Sequence, residues 1–218
     1  MVGDRRARAI FRVILMARAH LKSSASWLLL LGFVGIASGL GGLAMARQLE
    51  PRLPTYGELP EFSLTDQARQ PVTRRTLLGS VWIADFIFTR CAGQCPLMSD
   101  EMAGLRTAFR RHPALHLVSF SVDPAHDTPE VLSAYAARYT AERTRWRFVT
   151  GEEQVLVDLA RHGFRLGVDA HGTQTEPITH STRFILIDRH ARIRGYYDAT
   201  DRAAIERLRR DAARLLRT

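Results

Sequence analysis

Cys91 and Cys95 are the only thiols in this 218-residue chain, and they stand four apart in Asp85-Phe86-Ile87-Phe88-Thr89-Arg90-Cys91-Ala92-Gly93-Gln94-Cys95-Pro96. On a helix-like path that spacing brings the two Cα atoms to about 6 Å, inside the range a disulfide tolerates. The pair can close as a disulfide or pinch one soft metal ion. Buried cysteines can also act as small hydrophobes, but two placed together between a strand and a helix read as a site.

The flanking elements must position that pair. Val81 to Phe88 is β-branched and aromatic and reads as a buried strand. Pro96 suits a first helical position, so Cys95 is expected at a helix cap, where the dipole and free N–H groups lower a thiol's pKa. Arg90 is expected to add to that positive field. His180 stands at the mouth of a later strand, Arg183 to Asp188, from which its ring can reach the cysteine loop. Two thiolates and one imidazole make a soft, low-coordinate site that suits copper, whereas structural zinc calls for a fourth ligand.

Other residues with chemical potential read more plainly. Asp123 and Asp127 look like turn and cap residues. Met98 and Met102, four apart after Cys95, look like core packing. His126, His162, His171 and His190 look like surface or loop residues, with His171 the nearest to the site.

Residues 1–26 are basic, and Trp27 to Ala46 follows with 20 residues and no charge, which is the length of a transmembrane helix. That length favours a retained anchor over a cleaved signal peptide. The formal charge is +9, and residues 1–46 hold six basic side chains against one acidic. The positive-inside rule then keeps the N-terminus in the cytoplasm and sends the rest across, to the periplasm of a bacterium. Residues 47–60, with three prolines, read as a linker, and 61–218 as the folded domain. The arginines of the last helix read as a solvated face rather than a nucleic-acid surface, since no aromatic residues interleave them.

Along the domain, a hairpin (Phe62 to Thr65 with Pro71 to Thr73) precedes the central strand. A helix follows from Pro96 to Arg111, with Leu97 and Leu105 on its apolar face. The strand His116 to Val122 leads to a helix capped at Asp127 or Thr128. A short strand, Trp146 to Val149, leads to a helix begun by a capping box at Thr150-Gly151-Glu152-Glu153. Residues 163–179 read as irregular, and a terminal hairpin precedes a helix capped by Asp201. Alternating strands and helices with a closing hairpin describe an α/β sandwich, most simply a thioredoxin-like domain behind a single N-terminal transmembrane helix. The site of such a sheet belongs at the carboxyl end of a central strand, where Cys91 falls.

DFIFTRCAGQCPLM, SFSVDPAHDTPEVLSAYAARY and THSTRFILID, in that order, resemble the Sco/SenC family of copper chaperones over about residues 58–215. The resemblance implies a thioredoxin-like fold and copper bound by Cys91, Cys95 and His180. It also implies a role in assembling the binuclear copper centre of cytochrome c oxidase, with the copper-receiving oxidase subunit as partner and other copper carriers or thiol reductants upstream. Two departures stand out. Ala92-Gly93-Gln94 replaces the family's common proline and acidic residue after the first cysteine, and Thr179 replaces the aspartate before the histidine. The rival function is a thiol–disulfide oxidoreductase using the same two cysteines. A peroxiredoxin-like peroxidase and a non-catalytic adaptor are weaker readings.

Overall fold

A strand as apolar as Val81 to Ile87 has to be covered on both faces, and in a computed structural model of the chain it is. The structure describes residues 52–139, 145–166 and 181–217, together with Gly35. The segment 27–46 (Gly35 apart), His171 and His180 lie outside the described residues. No helix among the described residues is long and apolar enough to cross a membrane.

Leu53–Thr218 is one compact unit built on an eight-stranded sheet in the order β1-β8-β7-β4-β5-β6-β2-β3. The strands are β1 (Gly57–Glu58), β2 (Ser63–Asp66), β3 (Pro71–Thr73), β4 (Val81–Ile87), β5 (Leu115–Ser121), β6 (Trp146–Thr150), β7 (Arg183–Ile187) and β8 (Arg192–Asp198). Between them run α1 (Arg74–Leu77), α2 (Gln94–Ala108), α3 (Pro129–Arg138) and α4 (Glu153–Asp158), which continues as a π turn over Leu159–Gly163; α5 (Arg202–Arg217) closes the chain. β4, β5 and β6 are parallel, while β7, β8 and β1 alternate in direction beside β4. This is the mixed α/β, thioredoxin-like architecture that the order of elements implied.

One face of the sheet carries an aromatic layer: Trp82, Phe86, Phe120 and Phe164, with Phe86 stacked on Phe120 at 5.1 Å and Phe164 edge-on to both. The other face carries α2 and α3. They are joined by Ser99 Oγ and Tyr135 Oη at 3.0 Å, and Tyr135 packs edge-on against Phe148. These rings bury large apolar areas, which dominate the free energy of a domain this size.

Three local readings change. The capping box at Thr150 does not form, because Thr150 still pairs with Thr65 in the sheet; α4 starts at Glu153 with Glu152 as a cap that makes no side-chain hydrogen bond. In α2 the inward face is Cys95, Met98, Ser99, Met102 and Leu105, while Leu97 is 60% exposed. Residues 53–60, read as part of a linker, belong to the compact unit. Leu59 is buried, and Arg194 donates from Nε to Pro54 O at 2.8 Å and also to Leu53 O, so the chain is fixed to β8 from residue 53. Other expectations hold: Thr128 caps α3 with Pro129 in its first turn, and Asp201 Oδ1 accepts from Ala203 N at 2.8 Å at the start of α5.

Candidate metal and thiol site

β4 ends at Ile87, and the next residues are held by carboxylates that follow β5. Asp127 is fully buried and accepts from Thr89 N at 3.2 Å, from Thr89 Oγ1, and from Ser121 Oγ at 2.6 Å. Asp123 accepts from Arg90 Nε at 3.1 Å and from the same guanidinium's terminal nitrogen. The two aspartates therefore pin the pair of residues directly before Cys91. By local pattern both read as turn and cap residues; their pairing with Thr89 and Arg90, more than thirty positions away, has no local signal. Arg90 shares its charge with Asp123, so the field expected from it at the cysteines is partly neutralised.

The loop then turns into α2. Its N-cap is Gly93, which has no side chain to accept a hydrogen bond from the first turn. Pro96 has no N–H to offer, so the N–H within reach of a cap acceptor is that of Cys95. It donates to Cys91 Sγ at 3.5 Å. The sulfur of Cys91 thus stands where a capping oxygen would, facing the positive end of the helix.

Cys95 lies inside the first turn rather than at the cap, and it is completely buried, whereas Cys91 is 9% exposed. Burial pushes the Cys95 thiol well above its usual range. A hydrogen bond with the Phe88 backbone works against this, and the neighbouring Cys91 and Asp85 add to it. The lowered value expected for Cys95 is therefore reversed, because the helix N–H serves Cys91 and the interior costs a Cys95 thiolate its hydration. The two cysteines are not joined.

Beneath them lies Asp85, fully buried on β4 with its register partner Ser119 on β5. Burial raises its carboxyl to about 7, and Ser119 lowers it only in part. Among the described residues neither carboxylate oxygen has a partner at hydrogen-bond distance, and Ser119 Oγ accepts from Trp146 Nε1 at 3.0 Å. In the sequence Asp85 is simply a residue of the strand, with no role of its own.

β7 runs antiparallel to β4 with Ala84 opposite Ile185, so its first residue, Arg183, lies at the end of the sheet where the cysteine loop begins. Met98 and Met102 are buried packing residues, as expected. His126, His162 and His190 are exposed. Among the described residues, no group of three or more His, Cys, Asp and Glu side chains is arranged to hold a metal ion.

The SCO1/SenC family model matches residues 53–217. A putative copper-binding protein of Stutzerimonas stutzeri is 33% identical over 156 residues, which cover 67% of this chain and 72% of that protein. A SCO1/SenC family lipoprotein from Bacillus anthracis superposes with a TM-score of 0.70 at 32% identity, covering 76% of this chain and 99% of the other. BsSco, described as a member of the Sco family of cytochrome c oxidase assembly proteins with a disulfide switch, superposes with a TM-score of 0.67 at 26% identity, covering 77% of this chain and 99% of its own.

Proposed function

The chain belongs to the SCO1/SenC family, and we propose that it is a membrane-anchored copper chaperone for cytochrome c oxidase assembly. Copper is its cargo, held by Cys91, Cys95 and His180. Residues 27–46 anchor it in the inner membrane of a bacterium, with 1–26 in the cytoplasm and the domain in the periplasm. The observation that carries the reading is the unbridged cysteine pair, four residues apart where the central strand passes into α2, with Cys95 N donating to Cys91 Sγ, in a family whose relatives include a putative copper-binding protein.

The two sulfurs have different duties. Cys91, at the helix N-terminus and nearer the surface, meets the incoming ion first. Cys95 gives up its proton as the ion arrives, since a thiol must be deprotonated to serve as a soft ligand. A site of two thiolates and one imidazole leaves room for a recipient's ligand to bind before the first one leaves. Delivery to a binuclear copper centre by ligand exchange follows from that low coordination.

Copper stoichiometry and spectra of the reduced domain, beside Cys91→Ser, Cys95→Ser and His180→Ala, test this. The expected result is one copper per chain, with thiolate-to-copper charge transfer lost in either cysteine variant and altered in the histidine variant. A His180→Ala protein with the parent's affinity and spectrum would remove His180 from the site.

A second reading has its own support: the spacing of the pair permits a disulfide, and BsSco is described as having a disulfide switch. In that reading Cys91 attacks a partner's disulfide as the thiolate, Cys95 resolves the mixed disulfide, and the partner leaves with two thiols. Failure to retain copper, together with rapid disulfide exchange, would select it.

A further inference from the structure

As a metal ligand or as a resolving sulfur, Cys95 acts as a thiolate. Its surroundings resist that charge: burial, Cys91 and Asp85 oppose it, and the Phe88 backbone favours it. The Cys95 N–H is directed to Cys91 Sγ instead. A sulfur ionised this far inside the protein calls for a further hydrogen-bond donor.

One lies a helical turn away. Ser99 follows Cys95 by four positions on the inward face of α2, and both are completely buried. Side chains at that spacing are neighbours, with Cβ atoms about 5–6 Å apart. Ser99 Oγ stands 3.0 Å from Tyr135 Oη on α3, and a charge on Cys95 is felt at that same phenol. Tyr139, half-buried at the C-cap of α3, donates from Oη to Tyr135 Oη at 3.4 Å. The Tyr135 ring is held between Tyr139 and Phe148, at 5.2 and 5.8 Å.

Counting protons gives these three hydroxyls a direction. Each has one proton to give and lone pairs to receive another. Tyr135 receives from Tyr139, so its own proton goes to Ser99. Ser99 is left with a proton that no other acceptor among the described residues takes. We infer that Ser99 is a positioning residue for Cys95: its hydroxyl, oriented by Tyr135 and Tyr139, turns to donate to the sulfur when Cys95 loses its proton to solvent. The inference deepens the proposed reading of the cysteine pair and rests on it for the thiolate that Cys95 must become.

The test treats the full-length chain, reduced and copper-free in detergent, with an aromatic disulfide that releases the coloured thionitrobenzoate anion. The Cys91 thiolate attacks the reagent, one thionitrobenzoate leaves, and a mixed disulfide remains on Cys91. Cys95 then loses its proton to solvent and its sulfur attacks that of Cys91, so the internal disulfide forms and a second thionitrobenzoate leaves. Ser99→Ala and Tyr135→Phe are expected to leave the first release unchanged and to slow the second about three- to tenfold. Loss of a hydrogen bond to a charged group lowers the thiolate fraction about tenfold or more, and the more basic sulfur recovers part of that as nucleophilicity. Ser99→Thr, which keeps the hydroxyl, should run close to the parent, and Tyr139→Phe should show a smaller loss than Tyr135→Phe. A second release at the parent rate in Ser99→Ala or Tyr135→Phe, both releases slowed alike, or a threonine variant as slow as the alanine one overturns the inference. The assay contains no metal, so its failure and failure of the copper reading are separate results.

Discussion

Cys91 and Cys95 present very different sulfurs to a reagent. One receives a helix N–H near the surface, and the other is buried with its thiol pushed up. Iodoacetamide at neutral pH, followed by peptide mass mapping, is expected to modify Cys91 at least about tenfold faster than Cys95, since only the thiolate reacts. Asp85 provides a pH signature. Its folded value is about 7, above that of an unfolded aspartate, so between about pH 4 and 7 the folded state binds more protons than the unfolded one. Stability contributed by this group is complete below the lower value and is lost as pH rises through the upper one, by on the order of 4 kcal/mol. Thermal melts from pH 4 to 8 should show that loss in the parent, superposed on other groups, and a flatter dependence in Asp85→Asn. The two thiols and their order were plain in the sequence. Asp85 was not, because a carboxylate in an apolar run looks the same whether it reaches water or lies beneath a helix.

At the level of elements, the start of α2 and the loop after β5 work as one clamp. Asp127→Ala would leave the buried Ser121 hydroxyl and the half-buried Thr89 groups without their acceptor, at a cost of about 1–3 kcal/mol. Urea denaturation measures this, and copper retention should fall with it as the residues before Cys91 loosen. Gly93 bears on the thiol directly. Nothing lies within 4 Å of a Cβ built there, so serine is sterically tolerated. Gly93→Ser supplies a capping oxygen for the Cys95 N–H that Cys91 Sγ now receives. It is expected to stabilise the fold by only a few tenths of a kcal/mol while slowing Cys91 alkylation several-fold. Most elements were legible from β-branched runs and cap residues. The exceptions were decided at long range: Thr150 stayed in the sheet because Thr65 lay opposite, and Leu97 faced outward because the methionines filled the groove.

For the whole molecule, the alternation of strands and helices was enough to give the architecture, but not the strand order or the side on which the chain joins it. Both follow from pairings such as β1 with β8, between segments over a hundred residues apart. The grip of Arg194 on Leu53 and Pro54 bears on how often the site meets a recipient. With the proposed anchor at 27–46, only residues 47–52 separate it from residue 53, and a connection that short keeps the thiols within reach of a recipient in the same bilayer. Delivery then depends on lateral encounter and on the recipient's height above the membrane rather than on bulk affinity. Lengthening that connection with a glycine–serine insert between Arg52 and Leu53 lets the thiols range farther from the membrane and dilutes the encounter. Oxidase metallation in cells should fall accordingly, while copper binding by the purified domain stays the same.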